Sequence, residues 1–365
     1  MNSPARSPNG LFLLACFAVA ALVFAGARMV GNDYVFVAGY TVLQFVVLAT
    51  AWNLLGGMTG YVNFGAAAFF ACGAYATVFF HKYYDLPIPA LVAVGAVVSG
   101  LIGLGTGYLT LRLRGVYFAI ATLAMAVVLR TLVTNWDYVG GARGAYVVRP
   151  ATFAWPDLPD VSFLQPLQPW VEALQHYTED LALPYIQYLF LIMLAVAIVA
   201  VLVARAVERS KLGYGFATIR DDEVAAEASG VPTLRLKLIA TTLSGALMGM
   251  AGAPFPYYIG YLQPSSAFAL DYAVNSIAMP MIGGTTSWIG PVVGALLLSS
   301  LEQALSVFAP ITFKLGDLLT LTIAPEANLL IVGLLLVGFV IVAPNGLIGL
   351  WQRLFSRDAK HSKRA

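Results

Sequence analysis

The chain has 365 residues, 60% of them hydrophobic and only 10% charged, with a net charge of +2 and a mean hydropathy of +0.82. Soluble domains are roughly half apolar, so a water-soluble globular fold is excluded and a lipid bilayer is the expected solvent. Two cysteines, Cys16 and Cys72, both inside apolar runs, exclude a disulfide framework and a cysteine metal cluster.

A membrane-crossing helix needs roughly 20 mostly apolar residues, because each backbone amide must bond within its own segment where no water reaches it. Ten runs are read this way: 11–30, 35–55, 61–80, 88–111, 116–135, 185–207, 234–256, 268–284, 291–309 and 327–343. The expectation is an all-α, polytopic transmembrane bundle forming one domain over 1–365. The first run ends in Ala25-Gly26-Ala27 and has the look of a signal peptide as well as of an uncleaved first helix; the latter is the reading adopted, since the run extends to Val30.

Gly56-Gly57-Met58-Thr59-Gly60 lies between the second and third runs, and Gly283-Gly284-Thr285-Thr286-Ser287 echoes it between the eighth and ninth. Paired glycines let backbones approach closely, and broken helices are tolerated only where they face protein or a water-filled cavity. Broken helices at these two hinges are therefore expected, with Gly56, Gly57, Thr59, Asn63, Gly283, Gly284, Thr285 and Ser287 beside a translocation path. Asn53, Tyr61 and Thr286 add uncharged hydrogen-bonding groups suited to a polar or zwitterionic solute. Plain helix packing is the alternative for each glycine alone.

Arg130 in the fifth run and Glu302 in the ninth are the charges clearly embedded in apolar segments, with Asp271 near a boundary. Each is read as a gating or structural charge, and Arg130 is near enough to its segment end to snorkel. The link 136–184 carries six acids, two arginines and six prolines and is expected outside, as a docking surface or a passive cap.

The link 208–233 breaks the apolar pattern with RDDEVAAEASGVP, five charges within Arg220 to Glu227. Asp221 or Asp222 is suited to cap a short helix, Gly230 to stop it in a left-handed turn, and Pro232 to prevent its continuation. Glu223 and Glu227 fall on one face, and Ala226 with its neighbours keeps the rod slim. With the N-terminus inside, this link, the short link at 112–115 and the basic tail 352–365 share one side. Fourteen Lys and Arg lie there against five on the other, so that side is the cytoplasm and both termini are cytoplasmic.

Three scattered histidines, His81, His176 and His361, suggest neither a zinc motif nor a catalytic triad, and no phosphate-binding loop is present. If ATP drives this chain, another chain hydrolyses it.

Five stretches bear a family likeness. NLLGGMTGYVNFGAAAFFACGAYA (Asn53 to Ala76), RLRGVYFAIATLAMAVVLRTLVTNWDYVGG (Arg112 to Gly141), RSKLGYGFATIRDDEVAAEASGV (Arg209 to Val231), GGTTSWIGPVVGA (Gly283 to Ala295) and APNGLIGLW (Ala343 to Trp351) resemble the branched-chain amino-acid permease family. These are LivM-like membrane subunits of ATP-binding-cassette importers. The resemblance implies that Arg220, Asp221, Asp222, Glu223, Ala226, Glu227 and Gly230 form or flank a coupling helix that docks on an ATPase. It also implies a second permease subunit, two ATPase subunits that hold the ATP and magnesium, an external solute-binding protein facing the 136–184 link, and the bacterial inner membrane. No cofactor, metal or nucleic acid is implied for this chain itself. Two positions depart from the family pattern, Ala66 where His is common and Val127 where an acid is common, and related permeases carry urea, amides and other small organic molecules. The competing reading is a self-sufficient secondary transporter or channel for a small polar solute.

Overall fold

The computed structural model describes residues 9–84, 86–148, 152–153, 183–308, 311–315 and 319–323, with isolated helical positions at 333–334, 338, 346–347 and 349. Nine long helices form the described bundle: α1 (Asn9–Val30), α2 (Asp33–Thr59), α3 (Ala66–Tyr83), α4 (Ile88–Thr110), α5 (Val116–Thr134), α6 (Tyr185–Glu208), then α9 (Thr233–Gly252), α12 (Leu270–Gly283) and α13 (Ile289–Phe308). Between α6 and α9 lie α7 (Lys211–Asp221) and α8 (Glu223–Ala228); between α9 and α12 lie the short α10 (Phe255–Ile259) and α11 (Pro264–Ala267).

Local chemistry sets the helix ends. The Asn32 side chain accepts from Tyr34 N at the start of α2, and Gly60 at φ +79° closes it. Pro87 leads into α4, where its missing N–H costs nothing. Ser210 caps α7 by accepting from Leu212 N.

The tightest packing places α9 between α3 and α4. Gly95, Ser99 and Gly103 on α4 recur every four residues, as do Gly245, Gly249 and Ala253 at the facing end of α9, so two small-residue stripes meet. The approach is backbone to backbone: a Cβ on Gly249 would lie 2.3 Å from the Gly95 carbonyl, and one on Gly73 of α3 would lie 2.2 Å from the Gly249 carbonyl. α2 runs through the centre and is buried without interruption from Gln44 to Thr59. α12 and α13 close on each other through Gly283, Gly290 and Gly294, where any added Cβ would strike main chain within 2 Å.

Among the described residues seven helical stretches are long and apolar enough to cross a membrane. α3 and α12 are not in that set, and α12, with 14 residues, rises only about 21 Å. The expected segment 327–343 lies outside the described residues except for helical positions 333, 334 and 338, and the 352–365 tail lies wholly outside. Only the two ends of the 136–184 link are described. They show short turns at Asp137–Val139 and Gly141–Arg143, then strand β1 (Ala145–Tyr146) paired antiparallel with β4 (Tyr261–Leu262), and strand β2 (Thr152–Phe153) paired with β3 (Leu183–Pro184).

Three features differ from the sequence expectation. α2 is not broken at Gly56-Gly57 but continues to Thr59, because the Trp52 ring covers Gly56, Asn53 covers Gly57, and no water competes for the helical hydrogen bonds. The run 234–256 is interrupted at Ala253-Pro254, where the proline ends α9. Residues Ile311–Leu315 (β5) and Leu319–Ile323 (β6) pair as an antiparallel hairpin where a plain link was expected.

Candidate functional site: a joint at one end of the bundle

α7 and α8 lie across one end of the bundle. α7 buries Phe216 and Ile219 and packs against α2. At its end the Arg220 side chain crosses the αL turn of Gly60, where an added Cβ would lie 3.3 Å from Arg220 Cγ. Asp222, rather than the alternative Asp221, caps α8: its Oδ1 accepts from Val224 N at 2.9 Å and Ala225 N at 3.0 Å. Asp221 is exposed and pairs with Arg220 at 3.5 Å. Gly230 at φ +81° reverses the chain, with Val231 N bonded back to the Ala226 carbonyl.

The charged face of α8 turns inward. Glu223 Oε1 accepts from Lys237 Nζ at 2.7 Å, and its other oxygen accepts a short bond from the Tyr61 hydroxyl. Lys237 is almost wholly buried near the start of α9; it also donates to Tyr61 OH at 3.1 Å and to the Leu111 carbonyl at 3.3 Å. Arg114, between α4 and α5, lies 3.6 Å from Glu223 and 3.1 Å from Glu227, whose second oxygen accepts from Thr233 at 2.8 Å. One short helix is thus tied to the α2–α3 loop, the α4–α5 link and α9.

Electrostatics fits this lock. Burial works against ionisation of Glu223, but hydrogen bonds from Lys237 and Tyr61, with the charges of Lys237 and Arg114, outweigh it and hold the carboxyl below its ordinary pKa. Burial, then the bond to Glu223, pushes the Tyr61 phenol upward, so it stays a donor.

The loop between α2 and α3 is shaped by its own polar groups. Trp52 Nε1 donates to the Asn63 carbonyl at 2.8 Å, Asn63 Oδ1 accepts from Gly65 N at 2.7 Å, and Thr59 Oγ1 bonds the Leu55 carbonyl. The second glycine site sits against the first: a Cβ on Gly57 would lie 2.8 Å from the Thr285 carbonyl. The 284–288 turn is held from the other side, because Trp288 N donates to Glu208 Oε2 at 2.6 Å at the end of α6. Ser287 caps α13 by accepting from Ile289 N. Gly346, from the tail stretch singled out in the sequence, seats its backbone on Gly284.

All eight expected hinge residues therefore converge with the 208–233 link at one joint. Gly56, Gly57, Thr59, Asn63, Gly283 and Gly284 are buried in it, and Thr285 and Ser287 are partly exposed. Within the short helix, Ala226 is buried and Glu223 is largely so, while Val224, Ala225 and Ala228 form the outward face. Arg130 and Glu302 are not part of the joint. Arg130 is exposed on α5 in line with Val116, Ile120, Leu123 and Val127, and Glu302 is partly buried on α13.

Sequence reasoning missed Lys237, Arg114, Glu208 and Trp288. Lys237 left one legible trace: a lysine just inside an apolar run needs an anion, and Glu223 is the nearest carboxylate upstream after Glu227. Cavities of about 670 and 330 Å³ are lined almost entirely by apolar side chains.

The sequence pattern of the family described as "Branched-chain amino acid transport system / permease component" matches residues 34–340. The high-affinity branched-chain amino acid transport system permease protein LivM of Salmonella typhimurium is 27% identical over 347 residues, 93% of this chain and 74% of LivM. LivM of Escherichia coli K12 is 27% identical over 343 residues, 91% of this chain and 74% of that protein. The autoinducer 2 import system permease protein LsrC of an Enterobacter species is 24% identical over 241 residues, covering 65% and 61%. No solved structure matches.

Proposed function

The chain belongs to the branched-chain amino-acid transport permease family, as a multi-pass protein of the cytoplasmic membrane, and on that premise we propose how it works and what it carries. As a permease subunit of an ATP-binding-cassette importer, it moves a branched-chain or related amino acid inward. The LivM relatives support that solute class. The 208–233 link faces the cytoplasm, in keeping with the excess of Lys and Arg on its side. ATPase subunits, which bind the ATP and magnesium, dock on the outward face of α8 made by Val224, Ala225 and Ala228. A second permease subunit completes the solute path, consistent with the apolar lining of the cavities in this chain. An external solute-binding protein delivers the solute near the 136–184 link.

The observation that carries this reading is the lock at Glu223. A six-residue helix has little stability of its own, yet this one is bonded to three other elements, and α7 just before it crosses the first glycine site at Gly60. Movement of α8 is therefore passed to Tyr61 directly, to Gly60 by way of Arg220 at the end of α7, and through Gly57 to the 284–288 turn. Arg220, Asp221 and Asp222 set its start, Glu223, Ala226 and Glu227 its anchored side, and Gly230 its end.

The test is reconstitution of the complex in vesicles with uptake and ATP hydrolysis measured together. Val224→Arg on the outward face is expected to abolish ATP-driven uptake while the chain still inserts. Uphill accumulation by this chain alone in vesicles, or full uptake with Val224→Arg, overturns the reading.

A further inference from the structure

α1 meets the bundle at its two ends and stands away from it between them. Near its C-terminal end, Phe24 and Ala27 pack with Phe36 and Phe190. At its start, Phe12 lies edge-on to Trp288 at 5.3 Å. Between these contacts a crevice of about 670 Å³ separates α1 from α2, α6 and α13. Val19 and Val23 of α1, Val42 of α2, Ile198 of α6, and Val292 and Leu296 of α13 are typical of its walls.

Such a space does not hold water, which needs two to four polar partners. In a bilayer the abundant molecule that matches it is a lipid acyl chain. One end of the crevice is also basic. The Arg205 guanidinium lies on the Phe12 ring, 3.3 Å from its centroid, and 5.8 Å from the Trp288 ring centroid, both rings belonging to the crevice wall. Arg209 and Lys211 follow at the same end and are exposed. Basic pockets between membrane helices are suited to anionic head groups.

We propose that this crevice is a binding site for one anionic phospholipid, with an acyl chain between α1 and the bundle and the phosphate at Arg209 and Lys211 beside Arg205. The inference requires only that the chain spans a bilayer. It assigns α1 a role as a clamp over a bound lipid, and it places that lipid against Trp288, at the edge of the second glycine turn.

The test is native mass spectrometry of the full chain, with any subunits that co-purify, after delipidation and addition of dioleoyl phosphatidylglycerol or dioleoyl phosphatidylcholine. The wild type is expected to retain one phosphatidylglycerol under conditions that strip phosphatidylcholine. Each basic residue near the head group is worth about a factor of five, so Arg209→Gln with Lys211→Gln is expected to weaken retention about 25-fold. Ala38→Trp takes up part of the crevice and leaves the basic rim intact, and it is expected to lose retention at least about tenfold, by the loss of buried acyl CH₂ groups. Ala20→Phe narrows it from the α1 side and serves if Ala38→Trp does not fold. Equal retention of the two lipids, unchanged retention in either crevice variant, or a second copy of the chain occupying the crevice in place of lipid overturns the proposal.

Discussion

Replacing Lys237 with Met keeps the length and apolar volume of the side chain and removes only its ammonium group. Glu223, whose side chain is 12% exposed, then keeps the Tyr61 hydroxyl and an Arg114 guanidinium 3.6 Å away. Removing one partner of a buried ion pair costs about 3–5 kcal/mol because the remaining charge is uncompensated. Arg114 is half exposed and free to swing closer, which argues for the low end, about 3 kcal/mol. That is a factor of roughly 150 in the equilibrium between docked and detached α8. The assay is amide hydrogen exchange across 223–231 in the assembled complex. Protection there is expected to fall by about 100-fold, with α12 unchanged and with less solute moved per ATP. Pairing Lys237→Met with Glu223→Gln removes the stranded charge and is expected to recover most of the protection. Exchange in α8 within threefold of wild type, or a double variant no better than the single one, refutes the assignment of Glu223 and Lys237 as the lock.

The same lock has a definite pH dependence. Because the folded pKa of Glu223 is lowered, its contribution is complete above the unfolded value of roughly 4.3 and is lost as pH falls through the folded value. Protection of α8, corrected for intrinsic exchange rates, is expected to be flat from pH 8 to pH 5 and to drop only in stronger acid; a drop already at pH 6 contradicts the geometry. At the second glycine turn, Glu208→Ala removes a charge-assisted bond worth about 1.5–3 kcal/mol, so exchange at the Trp288 amide is expected to rise by one to two orders of magnitude. Glu208→Gln keeps an acceptor and is expected to stay near wild type, and equal exchange in the two variants counts against the bond. Gly249→Ala places a methyl group 2.3 Å from the Gly95 carbonyl and is expected to cost about 1–3 kcal/mol by forcing α4 and α9 apart. An unchanged melting temperature of the purified chain is the result that rules this out.

Much of the helical frame was legible because membrane helices announce themselves by length and apolar content. One stop was legible as well, since Gly230 occupies a left-handed turn that few other residues tolerate, and a capping carboxylate is expected at Asp221 or Asp222, of which Asp222 is the cap. The hairpin pairing of 311–315 with 319–323 left a signal that went unread: ITFKL and LTLTI, rich in β-branched residues, flank Gly316-Asp317 in the sequence. Gly56-Gly57 misled, because a glycine pair signals close approach and a break equally well. Here Trp52 and Asn53 fill the space and the helix continues.

By itself the sequence determined the solvent, the seven helical stretches long and apolar enough to cross it among the described residues, and the existence of a short capped helix between the sixth and seventh runs. Each of these depends on residues near one another in the chain, where period, composition and capping chemistry suffice. Only the tertiary structure decided what that helix holds. Tyr61, Arg114 and Lys237 meet Glu223 from 162, 109 and 14 residues away, and Gly57 meets Thr285 across most of the chain. Those pairings follow from backbone contact along the α4 and α9 stripes and between the glycine turns, and close packing of that kind is set by shape in three dimensions rather than by any pattern along the sequence.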